Sequence, residues 1–414
     1  MRFVDYIAAG QDRGSLAVFL TLMATMLGAS ATLGVAAKAE AIGFPAIWWL
    51  ASGSIGLALQ GVLLAGRIRE TGARTLPELA GKVAGTPARR LVAGVIAVAW
   101  PGVVGAQFAA AGSLVGALAG ADASAAWPVP ACAAAVILYT LLGGQRAVVR
   151  SDAIQMAVLA LGFGGLFAWV FGGKCGGAGV AWGEVRWVSD AFGWREAALS
   201  VLTVGGAYFL GPDIASRSLL ARDGRAARRA VLWASPALLA FAVGVVLAGM
   251  WAGANAPGPG NPLHRLAALL PWGLRWCLSA GLVAALLSSA DTCLVNAGAI
   301  AANDLLGRGS VGAARAAVAA VGAAATALAI AGGDIIGILL KAYSVYTPGV
   351  VCPLAVAIVA GGVRRTGPWL AAVAAGGACG LAGTLWPRLA WLPAAGMGLS
   401  LLLALAATGG KGKE

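Results

Sequence analysis

The residues best equipped for chemistry lie on one apolar stretch, 273–304. At about 100° per residue, Ala285, Ser288, Ser289, Thr292, Asn296 and Asn303 fall on one narrow helical stripe. A polar stripe in an apolar helix must face protein or water, not lipid. Hydroxyl oxygens suit a small hard cation such as Na⁺, and neutral ligands also let it leave. Hydrogen bonding between helices, worth roughly 0.6–2 kcal/mol per group, would explain the same stripe. Two ionisable residues stand out beside it. Lys341 lies inside the apolar stretch 335–361, where a cation is expensive and needs a partner. It could pair with Asp213, Asp334 or Asp291, or it could anchor a carboxylate substrate or act as a built-in cation that alters coupling. Asp152, after Ser151, opens the stretch 151–173 and could either serve ion release or cap that helix. His264 is the only histidine and falls outside the apolar stretches, which excludes a His-based metal site or a Ser–His–Asp relay among them. Six scattered cysteines form no C-x-x-C pair.

Twelve apolar spans must position these residues: 14–36, 44–65, 90–119, 127–143, 151–173, 194–220, 229–252, 273–304, 311–331, 335–361, 367–386 and 390–407. Most approach the roughly 20 residues that cross a hydrocarbon core. Of 29 Lys and Arg residues, 21 fall on one side of this arrangement, counting Arg217 with the loop after span six, and 6 on the other. The positive-inside rule then places the rich side, and both termini, in the cytoplasm of a multi-pass protein of the cell's inner (plasma) membrane. With 60% hydrophobic and 11% charged residues, the chain is a partner of the lipid bilayer. Its net charge of +13 is spread over many loops, which argues against nucleic acid. Arg2, Arg13, the apolar run 16–27 and Ala29-Ser30-Ala31 imitate a signal peptide, but the apolar character continues past the apparent cut. Trp182, Trp187, Trp194, Trp251, Trp272 and Trp276 read as an interfacial belt. Thr75-Leu76-Pro77-Glu78 reads as the start of a short amphipathic helix.

Two spans carry glycines that interrupt a helix. Span one has Gly28 and Gly34; span six has Gly205-Gly206 and then Gly211-Pro212-Asp213. They lie five spans apart, an odd offset, so they run in opposite directions, as an inverted five-helix repeat requires. Paired interrupted segments point to a transporter's binding site, although helix packing would also use such glycines.

Several segments, in order, resemble the sodium:solute symporter family. They are Asp5-Tyr6-Ile7-Ala8-Ala9-Gly10, Thr75-Leu76-Pro77-Glu78, Gly143-Gly144 through Ala147-Val148 with Asp152 and Gln155, Gly211-Pro212-Asp213 with Arg217, Ala284-Ala285 through Ser288-Ser289 to Asp291-Thr292, and Ala342-Tyr343-Ser344 with Pro348-Gly349. The resemblance covers about 1–361 and implies an all-α polytopic membrane protein. Its fold would be a five-plus-five inverted-repeat (leucine-transporter-like) core over 14–361, with two further helices over 367–407. It also implies a sodium site with hydroxyls from Ser288 and Ser289 and backbone carbonyls from Ala24, Leu27 and Ala285, and places Asp152 near the inner ion exit. Na⁺ would be the coupling ion for symport of a small polar organic solute by alternating access. The solute would lie between the breaks of spans one and six, where Thr25, Ser30, Thr32, Gln107, Tyr208, Lys341 and Tyr346 are candidates; each could equally tie helices together. The sequence begins at the Asp5-Tyr6 segment, without the helix that usually precedes it in the family. Proton coupling, carriage of an anionic solute, or a non-transporting sensor on the same fold are the rival expectations. A membrane-embedded enzyme lacks a clustered acid–base pair.

Overall fold

Long apolar runs separated by short polar connections fold here as membrane-length helices. A computed structural model describes residues 11–120, 125–173 and 185–409. The segment 4–10 and Trp182 therefore lie outside the described residues. Fifteen helical segments position the site: α1 (Ser15–Met26), α2 (Ser30–Ile42), α3 (Phe44–Glu70), α4 (Leu76–Ala84), α5 (Thr86–Leu118), α6 (Pro128–Gln145), α7 (Ala147–Phe171), α8 (Trp194–Leu219), α9 (Gly224–Asn255), α10 (Pro262–Leu269), α11 (Trp272–Leu305), α12 (Val311–Ile330), α13 (Ile335–Val359), α14 (Thr366–Leu385) and α15 (Leu392–Thr408). Among the described residues ten are long and apolar enough to cross a membrane. The pair α1 and α2, bent by 60°, makes an eleventh span, and α15 is a shorter apolar helix. All twelve expected spans are thus helical.

Burial separates inner from outer helices. Over its most apolar window α11 is 83% buried, whereas α7 is 28% buried and turns Ile154 and Leu161 outward. A central α11 resolves where its polar stripe points: into protein. α4 forms where Thr75 and Pro77 predict it, the Thr75 hydroxyl accepting from the Glu78 N–H at 3.1 Å. α14 and α15 pack together against α13; the Trp369 indole donates to the Pro353 carbonyl at 2.9 Å.

Four expectations need correction. α7 starts at Ala147, because Gly144, at φ 60°, turns the chain within a single residue of loop. Asp152 is therefore not a cap at the membrane surface; it lies in the second turn of α7 and is fully buried. Gly205 and Gly206 do not break span six. They lie in continuous helix, where a Cβ would meet the Ser52 carbonyl oxygen at 2.9 Å and the Thr347 methyl at 2.6 Å respectively, so they serve close packing. Trp251 is buried in the core and leaves the interfacial belt to exposed residues such as Trp272 and Trp276. The connection 253–272 contains a helix, α10, capped by the Asn261 side chain. His264 in α10 is pushed down to about 4 by burial, so it is neutral near pH 7.

Candidate functional site

Span one opens between Met26 and Ser30. Leu27 leaves helical geometry (φ −83°, ψ 39°), and the chain resumes as a π-helical turn over Ser30–Gly34. The break leaves the last carbonyls of α1 without intrahelical donors. α11 supplies the donors: the Ser288 hydroxyl donates to the Ala24 carbonyl at 2.5 Å, and the Ser289 hydroxyl to the Thr25 carbonyl at 2.8 Å. Gly28 is required sterically, since a Cβ there would lie 2.3 Å from Ser289 Oγ and 2.8 Å from Gln107 Oε1. The Gln107 amide oxygen accepts from the Ala29 N–H at 2.9 Å, which ties the start of α2 to α5.

Ala24, Leu27, Ala285, Ser288 and Ser289 are all buried, with Ala285 one turn before the serines on α11. The donor set suits sodium: the neutral hydroxyls of Ser288 and Ser289 meet the main-chain oxygens of Ala24 and Thr25, and any side chain at Gly28 would crowd Ser289.

Span six opens differently. Gly211 is extended (φ −69°, ψ 147°), Pro212 starts the second half-helix, and Asp213 occupies its first turn. An N-terminal turn favours a negative charge there. Tyr346 holds this break by donating its hydroxyl to the Leu210 carbonyl.

A small central cavity, about 30 Å³, lies between the two breaks. Thr25, Ser30, Gln107 and Tyr208 line it, as expected; so do Trp100, Asp213, Cys293 and Tyr343. Thr32 and Tyr346 do not. The Thr32 hydroxyl donates within its own segment to the Gly28 carbonyl at 2.8 Å, and Tyr346 packs edge-on against Trp100. Lys341 is exposed and lines a separate cavity with Val98, Leu328 and Leu385. It forms no ion pair within 4.0 Å among the described residues, with Asp213, Asp291, Asp334 or any other acid. A larger cavity, about 470 Å³, is lined by α2 residues from Leu33 to Ala41 and by the start of α13. It lies on the side away from the arginine-rich connections, where Arg265 of α10 pairs with Glu40 of α2.

A charged network lies beside the serine pair. Arg217, fully buried, sits 3.2 Å from the Asp152 carboxylate and donates to the Thr25 hydroxyl at 3.0 Å and to the Thr292 hydroxyl. Thr21 donates to Asp152, and Thr25 donates to the Thr21 carbonyl at 2.8 Å. One guanidinium thus joins α1, α7, α8 and α11. Below it, Asn296 donates to the Ser216 hydroxyl at 3.1 Å, and Arg13 pairs its backbone with Leu220 and Arg222. Counting Arg217 with the loop conceals this role. The available signal is that Arg217 falls inside span 194–220, four residues after Asp213 and so on one helix face with it. Tyr343 is likewise one helical turn before the expected Tyr346.

The fold recurs in solved transporters. A Na⁺-coupled sialic acid symporter, solved in a substrate-bound outward-open state, matches with TM-score 0.71 and 15% identity over 98% of this chain and 92% of its own. MhsT in complex with L-phenylalanine matches with TM-score 0.64 and 16% identity over 96% and 98%. Mhp1, a nucleobase-cation-symport-1 family transporter in a closed conformation with bromovinylhydantoin bound, matches with TM-score 0.63 and 14% identity over 97% and 93%. These likenesses establish the leucine-transporter-like inverted-repeat architecture of a multi-pass membrane protein. No curated relative matches the chain in sequence. The model of the sodium:solute symporter family matches residues 6–331, most of the 414-residue chain. The chain belongs to the sodium:solute symporter family.

Proposed function

We propose that this chain couples sodium entry to the uptake of a small polar organic solute by alternating access, with 14–361 as the transport core and 367–407 as two helices docked on it. The arginine-rich side and both termini face the cytoplasm under this reading. The observation that carries it is the contact of Ser288 and Ser289 with the opened end of α1 beside Gly28. Ser288 and Ser289 would offer side-chain oxygens to the ion, and Ala24, Leu27 and Ala285 main-chain oxygens. Three solved transporters of this architecture were captured with small organic molecules, which supports a solute of that size between the breaks.

Thr25 gives the coupling a physical basis. Its carbonyl meets Ser289, and its hydroxyl meets Arg217. Ion binding and closure of the cytoplasmic side therefore share one helical turn. Asp152 serves the ion's release by holding or freeing Arg217 rather than by lining an open exit. Movement of one sodium ion down a 100 mV potential yields about 2.3 kcal/mol, which sustains a solute gradient of roughly 50-fold. Lys341 lines a different cavity, which does not favour its use as an anchor for an anionic solute.

The test is solute uptake by the purified chain in proteoliposomes, with a panel of labelled sugars, amino acids and carboxylates. Uptake of at least one member should require an inward sodium gradient. Equal uptake in sodium-free buffer driven by a pH gradient would replace sodium with the proton.

A further inference from the structure

Asp213 makes no ion pair within 4.0 Å with Arg217, although it feels that charge from one turn away, and it does not touch the serine pair. It is the only side chain with a formal charge among those lining the central cavity. It keeps partial exposure although it lies at the break of a membrane span. Its carboxylate accepts from the Cys293 thiol at 3.7 Å and from backbone N–H groups at Asp213 and Ile214. No Lys or Arg nitrogen lies within 4.0 Å of it among the described residues. Arg217, one turn further along the same half-helix, is committed to Asp152, Thr25 and Thr292.

Of the three carboxyl groups at the buried centre, Asp152 faces the Arg217 guanidinium, and Asp291 is fully buried with one oxygen free of hydrogen bonds. Asp213 is the one that faces the space between the two breaks. The walls of that space are the rings of Trp100, Tyr208 and Tyr343, whose faces attract cations. Two of the three are fixed in place: Tyr343 stacks on Trp49 with ring centres 6.3 Å apart, and Tyr208 packs against Gly53, where a Cβ would lie 3.0 Å from the ring. No lining group supplies the cation that a carboxylate-only solute would need.

Building on the transport reading above, we infer that the solute carries a protonated or quaternary amine, with Asp213 as its counter-ion inside an aromatic enclosure. A carboxylate on the same molecule is tolerated, but the amine is required. The breaks then divide the work: span one holds the ion on neutral oxygens, and span six holds the solute's positive charge on a carboxylate.

The experiment uses the full chain in proteoliposomes and reads sodium-dependent currents evoked by matched pairs of solutes. The pairs are amino acid amides and their N-acetyl forms, glucosamine and N-acetylglucosamine, and choline and 3,3-dimethylbutan-1-ol. Symport of a neutral solute with sodium also moves charge, so both members of each pair can report. At least one pair should respond, with the amine member effective at a concentration 100-fold or more below its neutral partner. Asp213→Asn should abolish that response and Asp213→Glu should restore part of it, while stabilisation of each variant by sodium against thermal unfolding persists. That persistence separates loss of the solute site from loss of fold. A neutral member matching its amine partner overturns the inference. So does a full amine response in Asp213→Asn, or a panel in which no amine evokes a current. If sodium fails to stabilise even the unmodified chain, the failure falls instead on the sodium reading, and the inference built on it falls too.

Discussion

The two broken spans solve the same problem with different chemistry. In span one the chain opens at a glycine and leaves carbonyls, which meet the hydroxyls of Ser288 and Ser289. In span six it opens at Gly211-Pro212 and starts a new half-helix carrying two charges, Asp213 and Arg217. The first break is neutral, lined by hydroxyl and main-chain oxygens. The second is charged and does two jobs: Asp213 faces the cavity, and Arg217 closes the far side. A neutral ligand set binds a cation without trapping it, whereas a buried ion pair makes a discrete closed state, because a separated pair is costly.

The strongest way to break this comparison is to remove the charge from the second break. Arg217→Met leaves Asp152 buried without its partner and should destabilise the protein by about 3–5 kcal/mol, read as a lowered unfolding temperature. Adding Asp152→Leu should recover most of that stability but not coupled transport. If the double variant transports normally, the network is structural only.

A smaller change tests the first break. Gly28→Ala introduces a Cβ 2.3 Å from Ser289 Oγ, so serine or helix must shift. Overpacking of this kind costs about 1–3 kcal/mol, which predicts a roughly 5- to 150-fold loss of sodium affinity in isotope-binding measurements. The smallest effect belongs to Lys341→Met. The side chain is exposed and away from both breaks, and uptake kinetics should change by less than about twofold.

Much of this was legible in the sequence, for identifiable reasons. The spans are long apolar runs, and the serine pair lies on a regular helical stripe, so periodicity alone brings Ser288 and Ser289 to one face. Gly28 stands out because glycine is costly inside a helix. Legibility ends where a role depends on contacts between distant segments. Nothing local separates Gly28, which admits Ser289, from Gly205 and Gly206, which admit neighbouring helices. Asp152 resembles a cap until Gly144 is seen to shorten the connection before it. Arg217 resembles a loop charge because four other basic residues share its neighbourhood, and only the approach of α7 and α11 shows it to be a buried bridge. Lys341 illustrates the converse: inside an apolar run, yet on the outward face of its helix.

Direct sodium binding to the purified chain, compared with Ser288→Ala/Ser289→Ala, tests the central claim most closely. Saturable binding of ²²Na⁺ should appear in the unmodified chain, and affinity should fall at least about 10-fold in the double variant, the equivalent of roughly 1.4 kcal/mol. Unchanged sodium affinity without both hydroxyls would contradict the account, because the ion would then be held somewhere other than the open end of span one.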